Sequence, residues 1–226
     1  MAELYIANKN YSSWSLRPWV LMRTLGIPFE ERLVPFAPDG RHTFSSFSPT
    51  GKVPCLVDAG NVVWDSLAIA EYLAERHAGV WPADTAARTW ARCAAAEMHS
   101  GFATLRSICS MNCGVRVALR EITDALRADI ARIDSMLGEG LARFGGPWLA
   151  GAAFTGADAF YAPVAFRIRI YGLQLSAPVM AWVERTLALP AMRDWYAAAL
   201  TETWRIGPYE EAIGRAGTLV EDLRAV

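Results

Sequence analysis

Neither sign of charge prevails in this chain. Lys plus Arg number 22 and Asp plus Glu 23, for a formal net charge of −1. Such a protein has no long-range field to recruit nucleic acid or an anionic membrane surface, so any attraction for an anion must be local. Cysteine is scarce. Cys55, Cys93, Cys109 and Cys113 form no Cys-x-x-Cys pair, and their spacing fits no zinc ribbon. They read as free thiols of a reducing compartment, and a cytoplasmic location is expected. Cys109 and Cys113 can share a helix face, where packed thiols are the simplest reading. The three histidines, His42, His77 and His99, are scattered, so no metal site is expected. No apolar run approaches the roughly 18–20 residues that span a bilayer. The start, Met1 to Asn10, lacks the basic run and apolar stretch of a secretory signal.

Apolar material is plentiful. Hydrophobic residues make up 53% of the 226 and charged residues 20%, enough for one large core or two small ones. Leu4 to Ala7 is a short β-prone run. A polar stretch, Asn8 to Ser13, precedes a helix over Ser15–Leu25, with Leu16, Val20 and Leu21 at helical spacing and Gly26 as its stop. Phe29 to Val34 alternates apolar and charged residues as a half-buried strand does. Residues 37–52, rich in Pro, Gly, Ser and Phe, read as a loop. Val53–Val57 and Val62–Trp64 form a hairpin about a turn at Asp58 to Asn61. Asp65-Ser66 opens a helix with Leu67, Ile69, Ala70 and Leu73 apolar. The order β-α-β-loop-β-β-α implies a sheet with both parallel and antiparallel neighbours.

Beyond Gly79 strand signals vanish. Trp90, Ala94, Met98, Phe102 and Leu105 step by three or four along one long helix, and Leu119 to Leu141 does the same along another. Gly145-Gly146-Pro147 breaks the second, and three helices follow near 155–171, 178–187 and 190–203. The expected units are residues 1–79, a linker at 80–85, and an all-helical domain over 86–226.

Five segments then carry a resemblance. They are Ser12-Ser13-Trp14-Ser15-Leu16-Arg17-Pro18, Lys52-Val53-Pro54, Trp64-Asp65-Ser66-Leu67-Ala68-Ile69, Trp148-Leu149-Ala150-Gly151, and Phe154-Thr155-Gly156-Ala157-Asp158. Each alone is weak. In this order, over nearly the whole chain, they resemble the cytosolic glutathione transferases, and the first segment is similar to the serine-rich loop of the zeta-like classes. The resemblance implies a thioredoxin-like N-terminal domain, an all-helical C-terminal domain and a homodimer. It implies glutathione as co-substrate, with a small electrophile as the second substrate. No metal, nucleic acid or membrane partner is expected.

The physics of the segments agrees with that chemistry. A free thiol of pKa near 8.5 is only slightly ionised at neutral pH, so a glutathione enzyme must stabilise the thiolate. A hydroxyl at a helix N-terminus supplies both a hydrogen bond and the favourable end of the dipole. Ser12 and Ser13 lie where the first helix begins. Register with the zeta-like motif favours Ser12, helix geometry does not choose between them, and Tyr11 is a further candidate hydroxyl. Serines in this position also serve as plain caps. The resemblance puts the backbone of Val53 against the tripeptide as an added strand, with Pro54 cis. Lys52 is a candidate for the glycine carboxylate. Asp65 and Ser66 are candidates for the γ-glutamyl ammonium and carboxylate, although Asp65 also reads as an ordinary N-cap.

Trp14 stands where the zeta class has cysteine, which sets a maleylacetoacetate-type isomerase behind a general transferase. A disulfide reductase needs a cysteine at the first helix, where the serines and Trp14 stand instead. A non-catalytic glutathione-binding relative is the remaining alternative. For the acceptor wall the long helix offers Met98, His99, Phe102 and Arg106, and Arg167 and Arg169 are further candidates. Thr155 and Asp158 read as a structural capping box.

Overall fold

The computed structural model describes residues 1–41 and 44–225. His42 lies outside them. Four strands and two helices build the N-terminal unit: β1 (Ala2–Ile6), α1 (Ser13–Thr24), β2 (Phe29–Leu33), β3 (Cys55–Asp58), β4 (Asn61–Val63) and α2 (Ser66–Ala74). The sheet order is β2-β1-β3-β4. β1 and β2 run parallel, whereas β1–β3 and β3–β4 are antiparallel. This is the mixed sheet expected from the element order, and the thioredoxin-like one that the resemblance implies. The parallel pair needs a crossover, which α1 supplies.

α1 is buried on nearly every side, from Leu16 through Met22. One side meets the sheet's core and another packs on the helical domain. It begins two residues earlier than its apolar spacing suggests, at Ser13. Pro18 therefore lies in the second turn, where its missing N–H leaves the Trp14 carbonyl without the usual donor.

The helical part comprises α3 (Thr85–Ser100), α4 (Ala103–Ile108), α5 (Asp124–Arg143), α6 (Gly156–Tyr171), α7 (Ala177–Ala188), α8 (Pro190–Thr201) and α9 (Gly207–Ala216). Between α2 and α3 the chain buries Val80 and Trp81, and the Val80 carbonyl accepts the Gly156 N–H at the start of α6. α6 is the hub: fifteen of its sixteen residues are buried, and α1, α3 and α7 pack on it.

Two features depart from the sequence reading. The helix expected from Trp90 to Leu105 is broken at Gly101-Phe102. Phe102 takes a left-handed conformation, φ 57°, so α4 sets off in a new direction. In addition, β5 (Val115–Leu119) pairs antiparallel with β6 (Gly217–Asp222) in a two-stranded ribbon. The helical domain is thus not free of strands, and α5 starts only at Asp124.

α6 opens with the expected capping box between Thr155 and Asp158. The fully buried Asp158 carboxylate takes four donors: the N–H groups of Leu149 and Thr155 at 3.0 Å each, Trp182 Nε1 at 2.9 Å, and the Thr155 hydroxyl at 3.3 Å. Burial pushes its pKa up to about 6, and these donors pull the other way and favour the ionised form. Asp158→Ala leaves buried donors without an acceptor. The expected cost is about 3 kcal/mol or more, read as a fall in Tm of roughly 6–12 °C in a thermal melt. An unchanged melt removes the box from the stability of the fold.

Candidate active site

Loop Ala7 to Ser12 joins β1 to α1, and the helical domain holds it from several sides. Glu202, 6% exposed, accepts the N–H groups of Lys9 at 2.6 Å and Asn10 at 3.1 Å. Trp195 Nε1 donates to the Lys9 carbonyl at 2.8 Å. Asn10 Nδ2 donates to Asn112 Oδ1 at 2.7 Å, and the Cys113 and Gly114 N–H groups return to Asn10. The loop's buried polar groups are therefore satisfied largely by residues at least 100 positions away, which fixes where α1 begins.

At that point a cavity of about 760 Å³ opens between the two domains. The N-terminal unit contributes Tyr11, Ser12, Ser13, Trp14, Phe36, Lys52, Val53, Pro54, Trp64 and Asp65 to its wall. The helical domain contributes His99, Ala103, Arg106, Ser107, Ser110, Met111, Arg167 and Tyr209.

The hydroxyls of the serine segment have distinct partners. Ser12 is the N-cap of α1, yet its side chain makes no capping bond. Its Oγ donates to Ser15 Oγ at 2.7 Å, and Ser15 Oγ also accepts the Ala7 N–H at 3.2 Å. Ser13 is the first helical residue, and its Oγ accepts from Arg167 Nη2 at 3.3 Å. A hydroxyl carries one proton and two lone pairs. Ser12 has committed its proton within the loop, whereas Ser13 has engaged a lone pair and keeps its proton for the cavity. Tyr11 is 2% exposed, and its hydroxyl donates to Glu210 Oε1 at 2.7 Å. Burial and that carboxylate push the phenol up to about 12.

The other expected residues divide. Lys52 is exposed on the cavity rim. The β1–β3 ladder begins at Cys55, so the Val53 backbone stands just outside it at the cavity wall, and the Val53–Pro54 bond is cis. Asp65 caps α2, with Oδ1 accepting the Leu67 N–H at 3.0 Å, and its Oδ2 lies 3.3 Å from His99 Nε2. Ser66 is fully buried and outside the wall, with its Oγ 3.5 Å from Arg17 Nη1.

Three guanidinium groups gather behind and beside Trp14. Arg17 lies 4.1 Å from the Trp14 ring centroid and Arg106 lies 4.9 Å from it. Arg167, fully buried, donates from Nε to the Cys109 carbonyl at 2.8 Å and from Nη2 to Ser13. None of the three has an ion pair with a carboxylate among the described residues. Burial, followed by repulsion from Arg167 and Arg106, lowers Arg17 to about 9, and burial lowers Arg167 to about 10. Burial also lowers His99, against the pull of Asp65.

Two residues expected on the acceptor wall are not there. Met98 and Phe102 are buried in the core, because the turn at Gly101-Phe102 ends the stripe they were read from. α4 instead presents Ala103, Arg106 and Ser107, spaced three and four apart, and Ser110 follows just beyond its end. Arg169 lies against Tyr196, 4.2 Å from its ring, rather than at the wall. The sequence reading missed Phe36 and Tyr209, which stack with centroids 5.8 Å apart, and all of α9. Gly207-Pro208 is a usable helix-start signal for α9.

Two family models match the chain: the glutathione S-transferase N-terminal domain over residues 11–76 and its C-terminal domain over residues 117–198. Together they cover more than half of it, in the expected order. The chain belongs to the glutathione transferase family. Its N-terminal domain, β1 to α2, is thioredoxin-like, and a helical C-terminal domain follows. Dichloromethane dehalogenase of Methylorubrum extorquens is 43% identical over 65 residues, a match covering 26% of this chain and 23% of that protein. The glutathione S-transferase-like protein OpS6 of Beauveria bassiana is 26% identical over 173 residues, covering 71% of this chain and 76% of that one. Among solved structures, a glutathione transferase homolog from Burkholderia with bound glutathione has a TM-score of 0.64 at 24% identity, covering 88% of this chain and 97% of its own. In the described residues no helix is long and apolar enough to cross a membrane.

The clamp on the site loop is testable through Glu202. Glu202→Ala strands two buried N–H groups, at about 1–3 kcal/mol each. The expected result is a lowered Tm with faster amide exchange at Lys9 and Asn10. Unchanged exchange there removes Glu202 from the support of the loop.

Proposed function

We propose that the protein is a cytoplasmic glutathione transferase whose Ser13 hydroxyl activates the thiol. The observation that carries this reading is the Arg167–Ser13 hydrogen bond at the start of α1, inside the cavity. The wall has groups suited to each end of the tripeptide, and glutathione is bound in the Burkholderia homolog of the same fold. Lys52 is suited to the glycine carboxylate, and the Val53 backbone can pair with the peptide as an added strand. Asp65 is suited to the ammonium, and the first turn of α2 to the γ-glutamyl carboxylate. Ser66 contributes through its backbone N–H, since its side chain is turned toward Arg17.

Glutathione supplies the nucleophilic thiol. The chain's part is to hold the sulfur over α1 and favour loss of its proton. Ser13 donates a hydrogen bond into that position, the helix dipole adds positive potential, and Arg167 both orients the hydroxyl and adds a buried cation. Arg167 is a positioning residue here. Register with the zeta-like motif favours Ser12, but the Ser12 proton is already given to Ser15. Tyr11 is excluded on the same ground, because Glu210 takes its proton. The electrophile occupies the opposite wall, formed by Phe36, Met111, Arg106 and Tyr209. Trp14, at the position where the zeta class has cysteine, sets the general transferase ahead of an isomerase.

We further propose a homodimer, in which the exposed Val62 of β4 and Trp64 just after it are covered. Light scattering should then give twice the 24.8 kDa chain mass. The division into 1–79, 80–85 and 86–226 is retained as the set of units that meet at the site. Four free cysteines suit the cytoplasm.

Ser13→Ala should lower kcat/KM toward a panel of electrophiles by about 10²-fold, the scale of one lost donor to developing negative charge. It should also raise the pH at which the bound thiol ionises, read from thiolate ultraviolet absorbance. Ser12→Ala and Tyr11→Phe should leave that pH in place. If neither serine variant moves turnover or thiol ionisation, the serine mechanism is wrong.

A further inference from the structure

The cations of the cavity wall differ in what already engages them. Lys52, Arg106 and Arg167 line the wall with one carboxylate, Asp65, while Arg17 lies behind Trp14, and Glu210, paired with Arg224, lies behind Tyr11. Charges in such a recess are poorly screened, so a guanidinium with an open edge there attracts an anion.

Geometry shows which cation has an edge left open. Lys52, on the rim beside Val53, is suited to the tripeptide. Arg167 is taken up by the Cys109 carbonyl and Ser13. Arg17 is buried beneath Trp14, at hydrogen-bond reach of Ser66 and the Met98 carbonyl. Arg106 differs from them. Its Nη1 donates to the carbonyls of His99 at 3.2 Å and Gly101 at 3.3 Å, and its plane lies by the Trp14 ring. Those contacts hold the guanidinium in place. Its Nε and Nη2 have no partner among the described residues, and the residue is on the cavity wall. A guanidinium fixed by one edge and open at the other is suited to a planar two-oxygen anion. Phe36, Met111 and Tyr209 provide an apolar bed for the rest of such a molecule.

We infer that the second substrate is an electrophile with an apolar body and an acidic group, a carboxylate or its equivalent, which Arg106 holds. The inference rests on the glutathione reading of the same cavity and adds the charge class of the acceptor.

Binding tests it without turnover. The probes are S-(4-carboxybenzyl)glutathione and its neutral counterpart S-(4-carbamoylbenzyl)glutathione, measured by calorimetry at low and high salt. The wild-type protein should bind the acid about tenfold or more tightly than the amide, the scale of one charge-assisted hydrogen bond. Salt should narrow that ratio. Arg106→Met should bring it to about one, and Arg106→Lys should keep part of it, which guards against a variant that simply misfolds. A wild-type ratio near one overturns the inference and leaves the glutathione site standing. A high ratio that neither variant changes overturns the assignment to Arg106. Failure of both probes to bind the wild-type protein overturns the glutathione reading, and the inference with it.

Discussion

Two buried guanidinium groups, with no carboxylate against either among the described residues, are the constraint on which the seam between the domains depends. A buried cation is costly unless hydrogen bonds replace its water. Arg167 obtains them from the Cys109 carbonyl and Ser13. Arg17 obtains weaker ones from Ser66 and the Met98 carbonyl, with the Trp14 and Phe160 rings at 4.1 and 5.0 Å. Its Nε has no partner among the described residues. Each cation thus ties an element of one domain to an element of the other. The positive potential so retained is aimed at the N-terminus of α1, where an anion gains most from it. The same burial that costs stability gives the cavity its chemistry, as is common where function and packing meet.

How much of this can be read in the sequence depends on how local the determining interactions are. The sheet order follows from period-two runs and one crossover helix, and the capping box from residues three apart. The break after Ser100 was also there to be read, in Gly101, but the apolar steps from Trp90 to Leu105 masked it. The ribbon was hidden for a similar reason. Val115, Val117 and Leu119 alternate as a strand does, yet Leu119 also starts the helical spacing of α5. Its partner β6 lies about a hundred residues further on, at the end of the chain. A two-stranded ribbon has little propensity of its own, so its existence is decided by that distant pairing.

The site shows the same division. Lys52, Val53, Asp65 and the two serines come from local motifs, and all five lie on one cavity. What no local pattern conveys is the partner of each hydroxyl. The Tyr11 partner is Glu210, on a helix the apolar spacing did not reveal. Arg224 completes that cluster, 2.6 Å from Glu210, with Asp222 on its other side. The C-terminal segment thereby closes the cavity behind Tyr11 and brings Tyr209 onto the wall. Ile206, Ile213 and Ala216 are buried there too, but the ion pairs and hydrogen bonds that help place the segment have no periodicity to read.

The choice between adjacent serines is therefore a tertiary question. Ser12 and Ser13 are alike in type, position and exposure, and a motif places both at the helix start. They differ in whether the oxygen receives a hydrogen bond or the proton is given away. That difference arises because α6 brings Arg167 to within 3.3 Å of Ser13 across 154 residues of sequence. Ser15, three residues away, captures the Ser12 proton instead. A hydroxyl that accepts from a cation becomes a better donor, because the bonds polarise one another in a chain. The helical domain thus does more than roof the second substrate. Through one guanidinium it selects which hydroxyl of the thioredoxin-like domain faces the sulfur with its proton free.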